Sequence, residues 1–584
     1  MSHISVALDN TGLSTRQDEI VALLIDAGVE FTAVVKHPGT DTAYVIMESE
    51  ASAITALKHI SELTNCRGLS FSCRIDRDYV PPAGLLGEEN KGLNGDEQTL
   101  LLDEPPLKGG QVRNEEVLKV VAPYYVNLEA ERSEDLKKSR MLQNVLKGVL
   151  VKLYKTEGGA VTPEWTKQPS LITHLRKRAI IYTSELRHRY RTKVEFSIGV
   201  IERDGRPAVQ IGPCTRTGST FRIFGSNCLD GALIFPNACV TISRIFEEQL
   251  TEALQAGQIL RDDIALLDTV SIRCVGTCTN ARFDVSDVLI GIFLRVAANI
   301  EPDIALSRLW PVICGIDTFL KRSGVLRAAI VSYAKVIAVV PGRPHRETYY
   351  PIALIMNSVL PSRFFVVQRM LNIAFRIGPD TFFQSNLSIA IAMVEYITEV
   401  VMLVVGDMDE FTRVTLLDVC CGCGFLGQCI ARLLSDRLYD SQKAILVRGL
   451  DISADAIANA ELNAIENFRE DARVSLEYTC ISVEQAQTFF SVPAAIGIVD
   501  PPRAGLPDGV IRVLRESDLQ YLVYVSCNPK ALAQNLFQLC YTDKTTLPFH
   551  IVSARGFNMF PGCEHVEAVI FLKRCASKEG IVVN

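Results

Sequence analysis

The 584-residue sequence predicts an α/β protein. Its C-terminal part, 361–584, reads as a doubly wound domain. A mostly antiparallel central β region (194–360) and an N-terminal ferredoxin-like domain (1–80) precede it. Three observations predict this. First, Val414–Gly427 (VTLLDVCCGCGFLG), Ala494–Gly505 (AAIGIVDPPRAG) and Tyr521–Leu536 (YLVYVSCNPKALAQNL) each run from an apolar strand into a loop, the first and last continuing into a helical pattern. Alternation of that kind is the pattern of a parallel sheet covered by helices. Second, 194–355 carries short β-type runs separated by glycine turns. Third, the first 80 residues run β-α-β-β-α-β.

In the N-terminal domain, His3–Leu8, Phe31–Lys36, Ala43–Met47 and Leu69–Ile75 are strand-like. Arg16–Ala27 and Ala51–Leu63 have helical periods. This order is that of an RNA-recognition motif, a module that stacks bases on aromatics of its central strands. Only Tyr44 supplies an aromatic there, so contact with protein is an equal reading. Residues 81–114 are rich in Pro and Gly and acidic, which predicts a flexible linker.

Residues 115–193 read as a helical, partly basic connector. Leu136, Leu142, Val145, Leu146, Val149 and Leu150 recur at helical spacing, and Pro123 cannot lie inside that helix, so it starts near Leu128. A basic run follows: Lys167, Arg176, Lys177, Arg178, Arg187, Arg189, Arg191 and Lys193, interleaved with Tyr182 and Tyr190. It is either a solvated face or a phosphate-binding patch. In the central region the strands are expected at Glu195–Gly199, Arg222–Gly225, Ala232–Ile234, Ser271–Cys274 and Leu326–Val340.

The net charge of −7 excludes a global basic footprint, so a polyanion partner requires a local patch. Seventeen cysteines without a secretory leader are expected to be reduced thiols, in cytosol or nucleus. Ser388–Val405 is apolar but interrupted by Glu395 and Glu399, which predicts a core-facing helix rather than a membrane span. Cys274 and Cys278 have no second pair at ligand spacing. The crowded Cys420, Cys421 and Cys423 are better explained by a Gly-rich βα turn, so no metal is expected.

The candidate site lies at the strand ends, where open α/β sheets place their chemistry. Cys421-Gly422-Cys423-Gly424 lets backbone approach a ligand closely. Asp451, ending the next strand, is placed to accept both ribose hydroxyls. The turn lacks GxGxxG and there is no Walker sequence, so an adenosyl ligand without pyrophosphate fits better than a dinucleotide. Asp500 is held by Pro501 and Pro502; alternatively it caps a following helix. Cys527 ends a strand before Asn528-Pro529, where a nucleophilic thiol would be partly exposed with its thiolate stabilised. Gly378–Asn386 (GPDTFFQSN) offers Gln384 and Asn386 beside two phenylalanines, and glutamine, which both donates and accepts, suits a pyrimidine edge or an adenosyl ligand.

The ordered set FFQSN, DVCCGCG, GLD, DPPRAGL, SCNPKALAQNL and FPGCEHVE resembles the RNA 5-methyluridine methyltransferase family. The resemblance covers about 120–575 and includes YRTKVEFSIG at Tyr190–Gly199. It implies a Rossmann-like methyltransferase domain that uses S-adenosyl-L-methionine to methylate uracil C5, with the T-loop uridine of tRNA as the expected target. It further implies that Cys527 is the nucleophile and Glu567 the proton-abstracting base, with Gln384, Cys420, Asp451 and Asp500 in the cofactor site. Two positions depart from the family pattern: Cys563 replaces a usual Thr, and Phe425 a usual small or polar residue. An enzyme acting on rRNA or mRNA, or a non-catalytic RNA-binding or folding factor, are the alternatives. A Rossmann oxidoreductase is disfavoured by the missing GxGxxG.

Overall fold

In a computed structural model the chain divides into two units, Met1–Gln111 and Val112–Asn584. The described residues are 4–9, 20, 24, 29, 33–36, 42–47, 49–60 and 72–76 of the first unit. In the second they are 115–575 apart from 127, 157–180, 218–219, 280–281, 340–345, 353–362, 407–411, 442, 493–494 and 543–545. The expected linker and most of the expected first helix lie outside them, as do Lys167, Arg176, Lys177 and Arg178.

The first unit contains β1 (Ile4–Asp9), β2 (Ala33–Lys36), β3 (Ala43–Met47), α1 (Glu50–Ile60) and β4 (Ser72–Asp76). The sheet is antiparallel in the order β2-β3-β1-β4. Val6, Leu8, Val45 and Met47 alternate inward against Ala53 and Ala56 of α1, the period-2 and helical patterns that the sequence displays.

The second unit begins with α2 (Glu115–Val121), a turn at Pro123–Tyr125, a short helix at Leu128–Arg132 and the long α3 (Glu134–Thr156). Proline interrupts the helix as expected, but a second break falls before Glu134. The periodic face also differs in one place. Leu136 is 53% exposed, whereas Glu134 and Lys138 are fully buried together with Leu142, Leu146, Val149 and Leu153. An ion pair takes the place in the core that the apolar count assigned to Leu136.

The central sheet comprises β6 (Lys193–Arg203), β7 (Arg206–Gly212), β10 (Leu267–Cys278), β11 (Phe283–Ala297), β12 (Ala329–Val339) and β13 (Arg346–Pro351). Their order is β13-β12-β11-β10-β6-β7. Every neighbouring pair is antiparallel except β11/β12, which is parallel. A hairpin, β8 (Cys214–Thr217) and β9 (Thr220–Ile223), stands apart. Ala232–Ile234 is not a strand. It ends a 3-10 turn, with Leu233 in the left-handed region at φ 63°. Two amphipathic helices, α4 (Asn237–Gln255) and α5 (Leu309–Arg322), cover the sheet, so the region is α+β rather than mainly β.

A hairpin, β14 (Val366–Met370) and β15 (Ile373–Ile377), leads into α6 (Leu387–Gly406). That helix is long and apolar enough to cross a membrane, yet most of it, including Glu395 and Glu399, is buried in the unit as a core helix. Next come β16 (Arg413–Val419), α7 (Phe425–Arg437), β17 (Ala444–Asp451), α8 (Ala454–Phe468), β18 (Val474–Cys480) and β19 (Ala495–Val499). The last elements are α9 (Asp508–Glu516), β20 (Tyr521–Ser526), α10 (Pro529–Cys540), β21 (Phe549–Phe557) and β22 (Glu567–Arg574). Their sheet runs β18-β17-β16-β19-β20-β22-β21, with β5 (Ile181–Tyr182) added at the edge. β16 to β20 are parallel, and β22 runs antiparallel between β20 and β21. Helix α3 lies on one face of this sheet. Its Leu142, Leu146, Val149 and Leu153 share a core with Leu532, Leu536 and Leu539 of α10.

Candidate active site

Register brings the predicted residues together. Val419 pairs with Leu450 on one side and with Val499 on the other. One step further along these parallel strands stand Cys420, Asp451 and Asp500, three candidate residues on one level at the carboxyl ends. On the antiparallel side the last pair of β20/β22 is Ser526↔Ala568. Cys527 and Glu567 are therefore opposed one step beyond it.

The turn after β16 is tightly specified. Cys420 has φ 62°, unusual for a residue with a Cβ, and Gly422 and Gly424 have φ 55° and 80°. Asp451 holds the turn: one carboxylate oxygen accepts from Gly422 N–H at 3.0 Å and the other from Ser453 N–H at 2.9 Å. Asp418, fully buried, accepts from Gly427 N–H at 2.9 Å. A Cβ at Gly427 would stand 2.7 Å from that carboxylate, so a side chain there would push Asp418 aside. Burial, reinforced by Asp500 and Asp451, pushes Asp418 up to about 7. Its role is to fasten helix to strand; the carboxylate before a Gly-rich turn was the sequence signal.

Gln384 is buried in the loop preceding α6. That loop meets the Gly-rich turn, because the Cys423 thiol donates to Phe382 O at 3.7 Å. Asn386 proves to be a cap: its Oδ1 accepts from Ile389 N–H at the start of α6. Phe383 packs edge-on against Phe425 at 5.2 Å, and both meet Phe375. Phe425, which departs from the family pattern, is thus part of an aromatic cluster under the loop. Arg273 donates to Thr381 O at 2.8 Å and Lys335 to Asp380 at 3.1 Å, so the central sheet braces the same loop.

No helix starts at Pro502; α9 begins at Asp508, so Asp500 is not a cap. The Asp500–Arg503 loop is fastened to the thiol-bearing loop by Asn528. The Asn528 Nδ2–H donates to Arg503 O at 2.7 Å, while its Oδ1 accepts from Lys530 N–H and caps α10. The sequence showed Asn528 only as part of a motif.

Cys527 is partly exposed, but its thiolate is not stabilised as expected. Burial, then Glu567 and Asp500, push the thiol up to about 11, against the opposing charge of Arg503. Glu567 is buried. Desolvation and Asp500 hold it well above the ordinary carboxylate range, and Asp500 itself is raised to about 6 by burial. Two carboxyls and a thiol thus share a desolvated corner with one guanidinium, an environment that raises all three pKa values. The pKa of Cys420 is raised to about 12, chiefly by burial, so it presents a neutral thiol.

Part of the basic run is structural. The Arg187 guanidinium pairs with Asp135 and lies 3.5 Å from Glu134. Tyr190 is buried and donates to Pro561 O at 2.8 Å. Lys193 pairs with Glu195 at 2.8 Å. Cys563 donates to Val121 O at 3.0 Å, which gives the second departure from the family pattern a local role.

The strand order, with an antiparallel strand inserted next to β20 and a Gly-rich turn after the first strand, defines a Rossmann-like methyltransferase fold. Residues 358–575 match the family model described as tRNA (Uracil-5-)-methyltransferase. In this domain the chain is similar to the RNA 5-methyluridine methyltransferases. The human tRNA (uracil-5-)-methyltransferase homolog A is 33% identical over 219 residues, 36% of this chain and 32% of that protein. The match thus spans about a third of that relative. The 23S rRNA (uracil(747)-C(5))-methyltransferase RlmC of Halothiobacillus neapolitanus is 29% identical, over 37% of this chain and 51% of its own. The solved Pyrococcus abyssi tRNA (uracil-54, C5)-methyltransferase in complex with S-adenosyl-L-homocysteine aligns with a TM-score of 0.44 and 21% identity. That alignment covers 70% of this chain and 83% of that one.

Proposed function

We propose that the protein is an S-adenosyl-L-methionine-dependent methyltransferase acting on uracil C5 in RNA, with the T-loop uridine of tRNA as its substrate. The observation that carries this reading is the opposition of Cys527 and Glu567 at adjacent antiparallel strand ends, beside the Asp500–Arg503 loop.

The Gly-rich turn suits the cofactor. Asp451 stands oriented by two backbone N–H groups, and a Cβ at Gly422 would meet no atom within 4 Å. Asp451 would hold the ribose, with Cys420, Gln384 and Asp500 lining the remainder. When bound, S-adenosyl-L-methionine supplies an electrophilic methyl group that ends on C5.

The chain's own residues do the rest. The thiolate of Cys527 adds to C6, forming a C–S bond and pushing the C5=C6 electron pair into an enolate, which makes C5 nucleophilic. After C5 is methylated, Glu567 removes the C5 proton. The C5–H electron pair re-forms C5=C6, the C6–S bond breaks, and the thiolate leaves. The target base lies within a stacked loop and must be flipped out to reach Cys527.

The strand order of the N-terminal unit is that of a ferredoxin-like domain, which supports reading it as an RRM-like module for RNA or protein contact. Cytosol or nucleus is the expected compartment. The rRNA-acting relative keeps ribosomal RNA as the second reading. Mass spectrometry of nucleosides, after incubation of the protein and labelled S-adenosyl-L-methionine with tRNA or with rRNA fragments, tests both. Labelled 5-methyluridine only in tRNA is the expected result. Its absence from every RNA would refute the activity.

A further inference from the structure

Outside the region matched by the family model, helix α3 carries a fully buried ion pair. Lys138 Nζ lies 2.7 Å from Glu134 Oε1, and both side chains have zero exposure. The ammonium makes two further bonds, to Asn558 Oδ1 at 2.6 Å and to Phe560 O at 3.0 Å, so its three hydrogens are all used. Glu134 Oε1 also accepts from Gly562 N–H at 2.9 Å and from Asn558 Nδ2–H at 3.1 Å. Four of these contacts end on the loop between β21 and β22, which runs into Glu567. The same loop is held by Tyr124 N–H to Gly562 O at 2.8 Å and by Tyr190. Gly562, at φ 85°, packs so closely under Tyr125 that a Cβ would meet its ring at 2.8 Å.

A buried ion pair adds little net stability over an apolar pair of similar volume, because desolvation offsets attraction. What it supplies is fixed direction. Here the directions converge on Asn558, Phe560 and Gly562, five to nine residues before the proposed base. We propose that Glu134 and Lys138 are positioning residues that set the loop, and through it the reach of the Glu567 carboxylate to the C5 proton. The inference rests on Glu567 being the base. It assigns the connector helix a part in catalysis, in the elimination half of the reaction. If the loop drifts, Cys527 still adds to C6 and C5 still receives its methyl group. The C5 proton leaves slowly, and the C6–S bond persists.

The test uses full-length protein and tRNA. The double variant Glu134→Leu/Lys138→Met removes the tethers without leaving a lone buried charge. We expect kcat to fall about tenfold or more, since displacement of a reacting group by an ångström costs up to about a hundredfold. KM for tRNA and the Kd for S-adenosyl-L-methionine stay within about twofold. Covalent protein–RNA adduct carrying the methyl label accumulates. A merely structural defect would lower cofactor-binding stoichiometry and adduct together. Asn558→Ala, which cuts one strut and leaves the ion pair intact, should show the same split on a smaller scale, about threefold, even if the double variant fails to fold. Wild-type kcat in the folded double variant or in Asn558→Ala overturns the inference. So does slowed turnover without adduct when Glu567→Gln traps it. If Glu567→Gln itself traps none, the base assignment has failed instead.

Discussion

Cys527 and Glu567 are opposed one register step beyond the last pair of the β20/β22 ladder, so the antiparallel strand inserted into an otherwise parallel sheet sets the proposed nucleophile against the proposed base. A wholly parallel sheet would bring the two chain segments to the same edge only through longer loops. Here adjacent strands of opposite direction do so with no intervening residue.

Replacing Cys527 with Ala is expected to abolish turnover while leaving S-adenosyl-L-methionine binding within about twofold, because the thiol serves the base and not the cofactor. RNA carrying 5-fluorouridine should form a denaturation-resistant adduct with the wild type and none with Cys527→Ala, since fluorine cannot leave as a proton does. Methylation by the variant would refute the nucleophile assignment.

Asp451→Ala should weaken S-adenosyl-L-methionine binding on the order of ten- to a hundredfold, corresponding to about 1.5–3 kcal/mol for lost charged hydrogen bonds. The same change releases Gly422 N–H and Ser453 N–H, so part of the loss comes from a loosened turn. Calorimetry should find RNA affinity unaltered. An unchanged cofactor affinity would place the adenosyl group elsewhere.

Much of this site was legible in the sequence because Cys420, Asp451, Asp500 and Cys527 each stand at the end of an apolar run of five to eight residues, and strand ends in a doubly wound sheet converge. Gln384 and Glu567 were singled out through the family motifs instead. What escaped was long-range pairing. Nothing local distinguishes Glu134 and Lys138 from a solvated i,i+4 pair, and Arg187 and Tyr190 looked like a basic, aromatic surface until their partners at Asp135 and Pro561 were seen. The thiol's environment was misjudged for a similar reason. Carboxylates from two other strands lie beside Cys527, and their effect depends on topology rather than on neighbours in the chain.

The pH dependence should follow the thiol. With Cys527 pushed up to about 11, the thiolate fraction rises about tenfold per pH unit below that value. Adduct formation with 5-fluorouridine RNA, measured in a single turnover at saturating cofactor, should climb steeply from about pH 6.5 to 9. Arg503 lowers the thiol's pKa, so Arg503→Ala should slow the step several-fold at pH 8 and shift the profile to higher pH. A flat profile would mean that RNA binding itself delivers the thiolate.

Glu567→Gln should separate the halves of the reaction. Cys527 can still add to C6 and C5 can still be methylated, but the C5 proton lacks a base, so the enzyme stays bonded to methylated RNA. Glutamine keeps the shape of the side chain and cannot accept the proton at neutral pH. The expected readout is a denaturation-resistant band carrying the methyl label, absent when Cys527 is also replaced. A second readout comes from stability. Burial raises the carboxyl's pKa in the folded protein, so the folded state holds the proton longer than the unfolded chain does. Stability from this group is then full below the unfolded pKa, near 4.5, and is lost as pH rises through the folded value. Glutamine carries no charge to bury. The variant should match the wild type in apparent Tm near pH 4.5 and exceed it at pH 8. Release of product at the wild-type rate would move the base role elsewhere, first to His565. That imidazole lies two residues away, packs edge-on to Phe560 at 6.0 Å, and is kept neutral by burial and Arg503.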